Sequence, residues 1–106
     1  MALPDIDVAD NAGAHRFEAR DADGTVVGFS AYRRDGDVVV ITHTEVDDSQ
    51  EGRGVGSVLV RGALDDIRAG GRTVRPLCPF VRAWIDRHPE YADLVDQEML
   101  ARVDGI

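Results

Sequence analysis

The feature that most constrains the fold is a change of hydrophobic period around a glycine-rich segment. Before it, residues 37–46 (DVVVITHTEV) are mostly β-branched, which predicts a central strand buried on both faces. After it, apolar residues recur at every fourth position, which predicts an amphipathic helix that ends at the glycine pair 70–71. These apolar positions are Val55, Leu59, Ala63 and Ile67. The chain therefore passes from a strand through a glycine loop directly into a helix.

Shorter patterns on either side complete the predicted fold. Residues 15–21 and 25–34 predict two strands, and the sequences DADG and RDGD that follow them are typical of tight turns. Residues 73–77 (TVRPL) predict a short fourth strand, and a second helix comes after it. The order β-β-β-α-β-α predicts an α+β fold with a mainly antiparallel sheet.

The second helix and the chain ends complete the predicted domain organisation. The helix carries Phe80, Trp84 and His88 on one stripe, and we expect Phe80 and Trp84 to belong to the core. Residues 1–14 are acidic and lack a period, which predicts a loose leader. Residues 15–106 are then expected to form one domain.

Length and composition exclude several classes of protein. With 106 residues, of which 43% are apolar, the chain can bury one modest core. Its longest purely apolar run, residues 38–41, is far shorter than the roughly 20 residues that a membrane span needs. The single cysteine excludes an intramolecular disulfide, and a net charge of −8 argues against nucleic acid as a partner. We expect a cytoplasmic protein without a metal site.

The glycines at positions 52, 54 and 56 admit two interpretations. One is an ordinary turn. The other is a group of backbone N–H donors at a helix N-terminus that receives an anion such as a phosphate. Residues 51–89 carry seven arginines against four acids, although the whole chain is acidic, so the basic excess lies in the segment that starts with the loop. We therefore favour the anion site, although the loop lacks the Lys-Ser/Thr ending of a P-loop.

Three side chains are candidates for catalysis. His43 and Glu45 lie two residues apart on the third predicted strand and so share a face, where they can act as an oriented base. The alternative is a polar pair near a strand end. Cys78 follows the fourth predicted strand, where a thiol at a helix N-terminus can be an accessible nucleophile or acid. Its alternative is a small, buried packing residue.

Together these features resemble the GNAT superfamily of N-acetyltransferases, most of all its short single-domain members. The resemblance extends over residues 15–95 and depends on VVVITHTEV (38–46), EGRGVGSVLV (51–60) and RPLCPFVRAWIDRHPEY (75–91). It implies a reduced GNAT fold that lacks the first strand and first helices of longer members. The implied sheet has four or five strands, with helices on its faces and a cleft where the third and fourth predicted strands splay apart.

The resemblance also implies a site for acetyl-CoA. In the superfamily, the strand before the loop pairs with the pantetheine arm, and a Q/R-x-x-G-x-G/A loop binds the pyrophosphate. Here the loop pattern maps onto residues 51–56, with an acid where the family has Gln or Arg. Many members protonate the leaving thiolate with a Tyr in the second helix, where this chain has Trp84 and Ile85. The implied cofactor-binding residues are Thr44, Val46, Glu51, Gly52, Arg53, Gly54, Val55, Gly56 and Ser57.

The function that the resemblance implies is transfer of an acetyl group from acetyl-CoA to an amine. Backbone N–H groups near Val46 would polarise the thioester carbonyl, and Cys78, His43 and Glu45 are the candidate catalytic residues. The acceptor would be a small amine or an amine of a flexible polypeptide, and the acidic body favours a cationic one. The main alternative is a non-catalytic module that binds CoA or acyl-CoA as a sensor or partner subunit. A structural interaction domain without a ligand is a third possibility.

Overall fold

A computed structural model describes residues 5–48 and 54–96 of the chain. Five strands form one sheet in chain order: β1 (Asp7–Asn11), β2 (Arg16–Arg20), β3 (Val26–Asp35), β4 (Val38–Val46) and β5 (Thr73–Pro76). The helices are α1 (Val55–Ala69) and α2 (Pro79–Arg87), with short 3-10 helices at Ala12–Ala14 and Pro89–Leu94. β1 to β4 are antiparallel neighbours, whereas β5 pairs with β4 in parallel. The predicted α+β fold with a mainly antiparallel sheet is confirmed.

The first strand corrects the prediction for the N-terminal segment. Residues 7–11 are not part of a loose leader, because β1 pairs with β2 along its whole length and α1 packs over it. Gly62 of α1 permits this approach, since a Cβ atom at that position would lie 2.6 Å from the Val8 Cβ. The element order is therefore β-β-β-β-α-β-α, one strand longer than predicted.

The core lies between α1 and one face of the sheet. All four positions that the four-residue period singled out in α1 are buried, and so is Trp84 of α2. Phe80 shares the stripe of Trp84 but is 43% exposed, so the prediction that it belongs to the core is wrong. Burial of β4 is also less complete than predicted. Residues 39–41 are buried, whereas the second half of the strand is more exposed.

The sheet opens between β4 and β5, as the predicted cleft requires. Their pairing ends with Ile41 opposite Pro76, while β4 continues to Val46 beside β3. Beside this point the register between β3 and β4 shifts, so that no residue of β3 lies opposite Thr42 and the strand forms a bulge. The cleft therefore lies between the second half of β4 and the start of α2.

Candidate functional site

The N-terminus of α1 faces this cleft, and the first backbone N–H groups of a helix have no acceptor within the helix itself. Gly54 is the N-cap residue, and its φ of 78° is a left-handed conformation that favours glycine. The first hydrogen bond of the helix runs from Val58 N–H to Gly54 O, so the preceding N–H groups have no intrahelical acceptor. The first turn carries no acidic side chain that would oppose an anion. The predicted contacts of residues 51–53 lie outside the described part of the chain.

Gly54 and Gly56 are needed for different reasons. Among the residues that the structure describes, a Cβ atom on Gly54 would meet nothing within 4 Å, so glycine is required there by the backbone conformation. At Gly56 a Cβ atom would lie 2.9 Å from the ring Cζ of Phe80 and 3.6 Å from a methyl group of Val46. The second glycine therefore lets α1, β4 and α2 meet at one point. This arrangement brings two predicted cofactor residues, Val46 and Gly56, together.

Ser57, also a predicted cofactor residue, is held by the second helix. The indole Nε1 of Trp84 donates to Ser57 Oγ at 2.8 Å. Trp84 is only 1% exposed, and its ring stacks on His88 with 3.8 Å between the ring centroids. The hydroxyl of the exposed Ser57 is thus hydrogen-bonded to the buried, closely packed indole of Trp84.

The core side of β4 joins Thr44 to Cys78. The Cys78 thiol donates to Thr44 Oγ1 over 3.5 Å, and Ser30 Oγ lies 2.8 Å from the same Thr44 oxygen. The backbone N–H of Cys78 donates to Ile41 O, which fixes the cysteine where β5 leaves β4. Cys78 is only 4% exposed, so the prediction of an accessible thiol is wrong for this structure. The observed contacts are those of its alternative, a packing residue, and a catalytic role for Cys78 stays a prediction.

His43 and Glu45 lie on the other face of the sheet. Nε2 of His43 is 3.1 Å from Oε2 of Glu45, and the side chains are 60% and 61% exposed, respectively. The prediction that they share a face and form a pair is confirmed, while their catalytic role stays a prediction. Phe29 of β3 is opposite Glu45 in the register. The centroids of the Phe29 and His43 rings are 6.2 Å apart.

An ion cluster around the buried side chain of Glu18 supports this face of the sheet. Glu18 is opposite Phe29 in the register between β2 and β3, and its carboxylate accepts from Arg20, Arg16 and Asn11. Bonding to Arg20, followed by the bonds to Arg16 and Asn11, lowers the pKa of Glu18 to about 2 against the opposing effect of burial. Arg16 in turn lies 4.8 Å above the Phe29 ring. Side-chain contacts thus connect the cluster to Phe29.

The predicted site residues therefore form two groups on opposite sides of the sheet. Thr44 and Val46 lie on the side of α1 and α2 with the first turn of α1, whereas the His43–Glu45 pair lies on the open face. The placement of Phe80 beside Gly56 and the bond from Trp84 to Ser57 are not predictable from the sequence pattern. No sequence signal distinguishes Phe80 from Trp84, because both fall on one helical stripe.

The same groups define what the site can hold. Backbone donors at a helix N-terminus suit a phosphate or diphosphate. The second half of β4, which β5 does not cover, suits an extended amide-containing chain. Among residues 5–48 and 54–96, His, Cys, Asp and Glu form no group of three or more that could hold a metal ion. In the same residues no helix is both long and apolar enough to cross a membrane.

Comparison with known proteins agrees with this arrangement. The family model described as GCN5-related N-acetyl-transferase matches residues 16–94. A GCN5-like protein from Staphylococcus aureus, solved by NMR, superposes with a TM-score of 0.65 at 22% sequence identity, over 89% of this chain and 91% of the other. At this sequence identity the superposition supports the similarity of the fold and nothing further. No protein of curated function is detectably similar in sequence.

Proposed function

Since the chain belongs to the GCN5-related N-acetyltransferase family, we propose that it binds acetyl-CoA and transfers the acetyl group to an amine. The observation that carries the proposal is the position of the α1 N-terminus at the open end of the β4–β5 cleft. The helix offers donors for phosphate, and β4 offers a strand edge that β5 does not cover. Acetyl-CoA carries a diphosphate, which needs the helix donors, and an amide-containing arm, which needs the strand edge.

The diphosphate of CoA would bind at the first turn of α1. The N–H groups of Val55, Gly56 and Ser57 have no acceptor within the helix, and the helix dipole favours a negative charge there. A Cβ atom built on Gly54 would meet none of the described residues within 4 Å, which supports a ligand position beside it. Phe80, exposed beside Gly56, would form the apolar wall between the diphosphate and the pantetheine arm.

The pantetheine arm would extend along the second half of β4 and bring the thioester close to Val46. The N–H of Asp47 donates to Val27 O in β3. Because successive N–H groups of a strand point to opposite edges, the N–H of Val46 is directed into the cleft. It would donate to the thioester oxygen and stabilise the negative charge that develops there. Thr44 would lie beside the arm on the core side.

The acceptor amine would approach from the open face, where His43 and Glu45 lie. As the amine nitrogen bonds to the thioester carbon, His43 would accept the proton that the nitrogen loses, and Glu45 would orient the imidazole. The carbon–sulfur bond then breaks, and the thiolate leaves as CoA. The exposure of the pair favours an acceptor that needs no deep pocket, either a small amine or an amine of a flexible polypeptide. The negative charge of the chain favours a cationic one.

A non-catalytic CoA-binding module is the second candidate. It is favoured because, within the described part of the chain, α2 and its N-cap residue supply no exposed hydroxyl or thiol that could protonate the leaving thiolate. That helix contains no tyrosine, and the nearby thiol of Cys78 is buried. Such a module would use the same donors of α1 and the same edge of β4 and would not need His43.

Thermal melts followed by turnover assays test both candidates. A ligand at about 100 times its dissociation constant stabilises a native protein by about 2.7 kcal/mol, which corresponds to roughly 10 °C or more for a domain of this size. We expect CoA and acetyl-CoA to raise the melting temperature in this way and free adenosine to have little effect. Release of CoA from acetyl-CoA with a set of amines would identify a transferase. Stabilisation without turnover on any amine would identify the module, and no stabilisation would contradict both.

A further inference from the structure

The bond between Trp84 and Ser57 connects the interior of the protein to the first turn of α1. An indole N–H can only donate, so Ser57 Oγ is the acceptor in this 2.8 Å contact. Trp84 is the single tryptophan of the chain and is buried. A buried indole N–H without an acceptor costs free energy, so this bond holds Ser57 Oγ in one place. Ser57 itself is exposed and lies three residues after the N-cap Gly54.

The Ser57 hydroxyl keeps its own hydrogen for another acceptor. A hydroxyl has one donor and two acceptor positions, and Trp84 uses one of the acceptor positions. Serine inside a helix often donates to a carbonyl one turn earlier, but within the described ranges no acceptor for this hydroxyl is found. Among residues 5–48 and 54–96 this hydrogen therefore has no acceptor, and it lies at the same helix end as the N–H groups of the first turn of α1.

The Trp84 ring is held firmly enough to act as a support. It stacks on His88 with the two ring planes 11° apart, and Tyr91 meets it edge-on with 5.2 Å between the centroids. The guanidinium of Arg61, one helical turn after Ser57, lies 5.2 Å above the same ring. Contacts on several sides restrict rotation of the indole, and with it the direction of its N–H.

We propose that Trp84 is a positioning residue that fixes Ser57 Oγ so that the Ser57 hydroxyl donates to a phosphate oxygen at the α1 N-terminus. The proposal rests on the proposed function, in which that phosphate belongs to the diphosphate of CoA. Ser57 makes the contact with the ligand, and Trp84 acts only through Ser57. Position 84 lies in the helix where many related enzymes place a catalytic tyrosine, and here it would serve cofactor binding instead.

A double-mutant cycle tests the proposal. CoA affinity is measured by titration calorimetry for the wild type, Ser57→Ala, Trp84→Phe and the double variant. A hydrogen bond to a charged group corresponds to roughly 10- to 100-fold in affinity, and we expect Ser57→Ala to lose about that much. Trp84→Phe should lose part of it, and the double variant should bind no more weakly than Ser57→Ala alone. Ser57→Thr, which keeps the hydroxyl, should bind nearly as well as the wild type.

Additive losses in the double variant would overturn the proposal, because they would mean that Trp84 acts on the fold rather than through Ser57. Equal CoA affinity of Ser57→Ala and the wild type would overturn it as well, while leaving CoA binding itself intact. If the wild type does not bind CoA at all, the proposed function fails first, so the two failures are distinguishable. Tyr91→Phe keeps the ring that meets Trp84 edge-on and removes only a hydroxyl that bonds Asp65 and Arg61, so CoA affinity should be unchanged.

The indole resonance gives a second readout that does not depend on the folding of Trp84→Phe. The single tryptophan gives one side-chain N–H signal in a nitrogen–proton NMR spectrum. We expect CoA to shift this signal in the wild type, because the acceptor Ser57 becomes polarised by phosphate. A signal that stays in place at saturating CoA would contradict the proposed chain of hydrogen bonds.

Discussion

The Phe80 ring fills the space that a side chain at Gly56 would occupy, since a Cβ atom there would lie 2.9 Å from the ring Cζ. This contact joins the first turn of α1 to the first turn of α2 across the mouth of the cleft. The contact requires glycine at position 56 of α1 and the exposed ring of Phe80 in α2.

Gly56→Ala should displace the ring and narrow the cleft. Overpacking costs about 1–3 kcal/mol, and because the Phe80 ring is exposed we expect the loss to appear mainly as roughly tenfold weaker CoA binding, with a small change in melting temperature. Calorimetric titration and a thermal melt of the same samples check this. Phe80→Ala is the control background: with the ring removed there is no clash, so adding Gly56→Ala to it should weaken CoA binding no further. Unchanged affinity in the single variant would show that the ring is not part of the cofactor site.

Glu18→Gln should change how stability depends on pH. The pKa of Glu18 is lowered to about 2, so its ion cluster contributes fully above the unfolded pKa of about 4.5 and is lost as the pH falls towards 2. We expect the variant to be less stable at pH 7 and to lose less stability than the wild type between pH 5 and pH 2. Urea unfolding at several pH values measures this difference. Parallel curves for the two proteins would contradict it.

Asp93→Asn is the matched control for that series. Asp93 also pairs with an arginine, Arg68, and its pKa is lowered by that bond, but both side chains are largely exposed. Exposed pairs contribute little because water and salt screen them. The stability of this variant should follow the wild-type pH dependence closely.

Cys78→Ala distinguishes a packing role of the Cys78 thiol from a catalytic role. Because the thiol is buried against Thr44, a small alkylating agent should modify native protein far more slowly than unfolded protein. We expect the alanine variant to be less stable, by roughly 1–2 kcal/mol for the loss of a small buried group, and to keep its turnover within a few-fold. Melting curves and acetyl-transfer rates check both. A large loss of turnover in a well-folded variant would restore the catalytic role of the thiol.

His43→Ala should slow the chemical step without changing the affinity for the cofactor. Loss of a general base lowers the rate by roughly 10²- to 10⁴-fold, and we expect a loss in this range in kcat with nearly unchanged CoA affinity. Glu45→Gln should lose less, because Glu45 only orients the imidazole. His15→Asn is the control, since His15 lies in a turn before β2 with a left-handed backbone that asparagine accepts. If both histidine variants turn over alike, the base lies elsewhere.

The sequence predicted those elements whose period is long or strongly marked. Residues 55–69 have a four-residue apolar repeat over nearly four turns, and residues 37–46 are dense in β-branched side chains, so α1 and β4 appear where expected. β1 was not predicted because five residues rich in acids carry no clear alternation. It is stabilised by contacts distant in sequence, such as the approach of Gly62 to Val8.

The candidate site was predictable only in part. Two-residue spacing on a strand was enough to pair His43 with Glu45, but the face on which they lie depends on the bulge at Thr42, which no local pattern indicates. Burial of Cys78 likewise depends on where β5 leaves β4, a feature of the sheet as a whole. The glycine loop predicted the correct helix N-terminus. The residues that pack against Gly56, however, belong to α2 and β4 and are not predictable from the loop itself.

The most direct test of the proposed site compares CoA affinity in two glycine variants of equal backbone strain. Gly54 and Gly24 have φ values of 78° and 82°, and a Cβ atom on either would meet none of the described residues within 4 Å. An alanine at each position should therefore cost a similar stability, about 1–2 kcal/mol. Only Gly54 lies at the α1 N-terminus, so calorimetric titration should show CoA binding weakened roughly tenfold or more in Gly54→Ala and unchanged in Gly24→Ala. Equal CoA affinities for the two variants would contradict a cofactor site at this helix end.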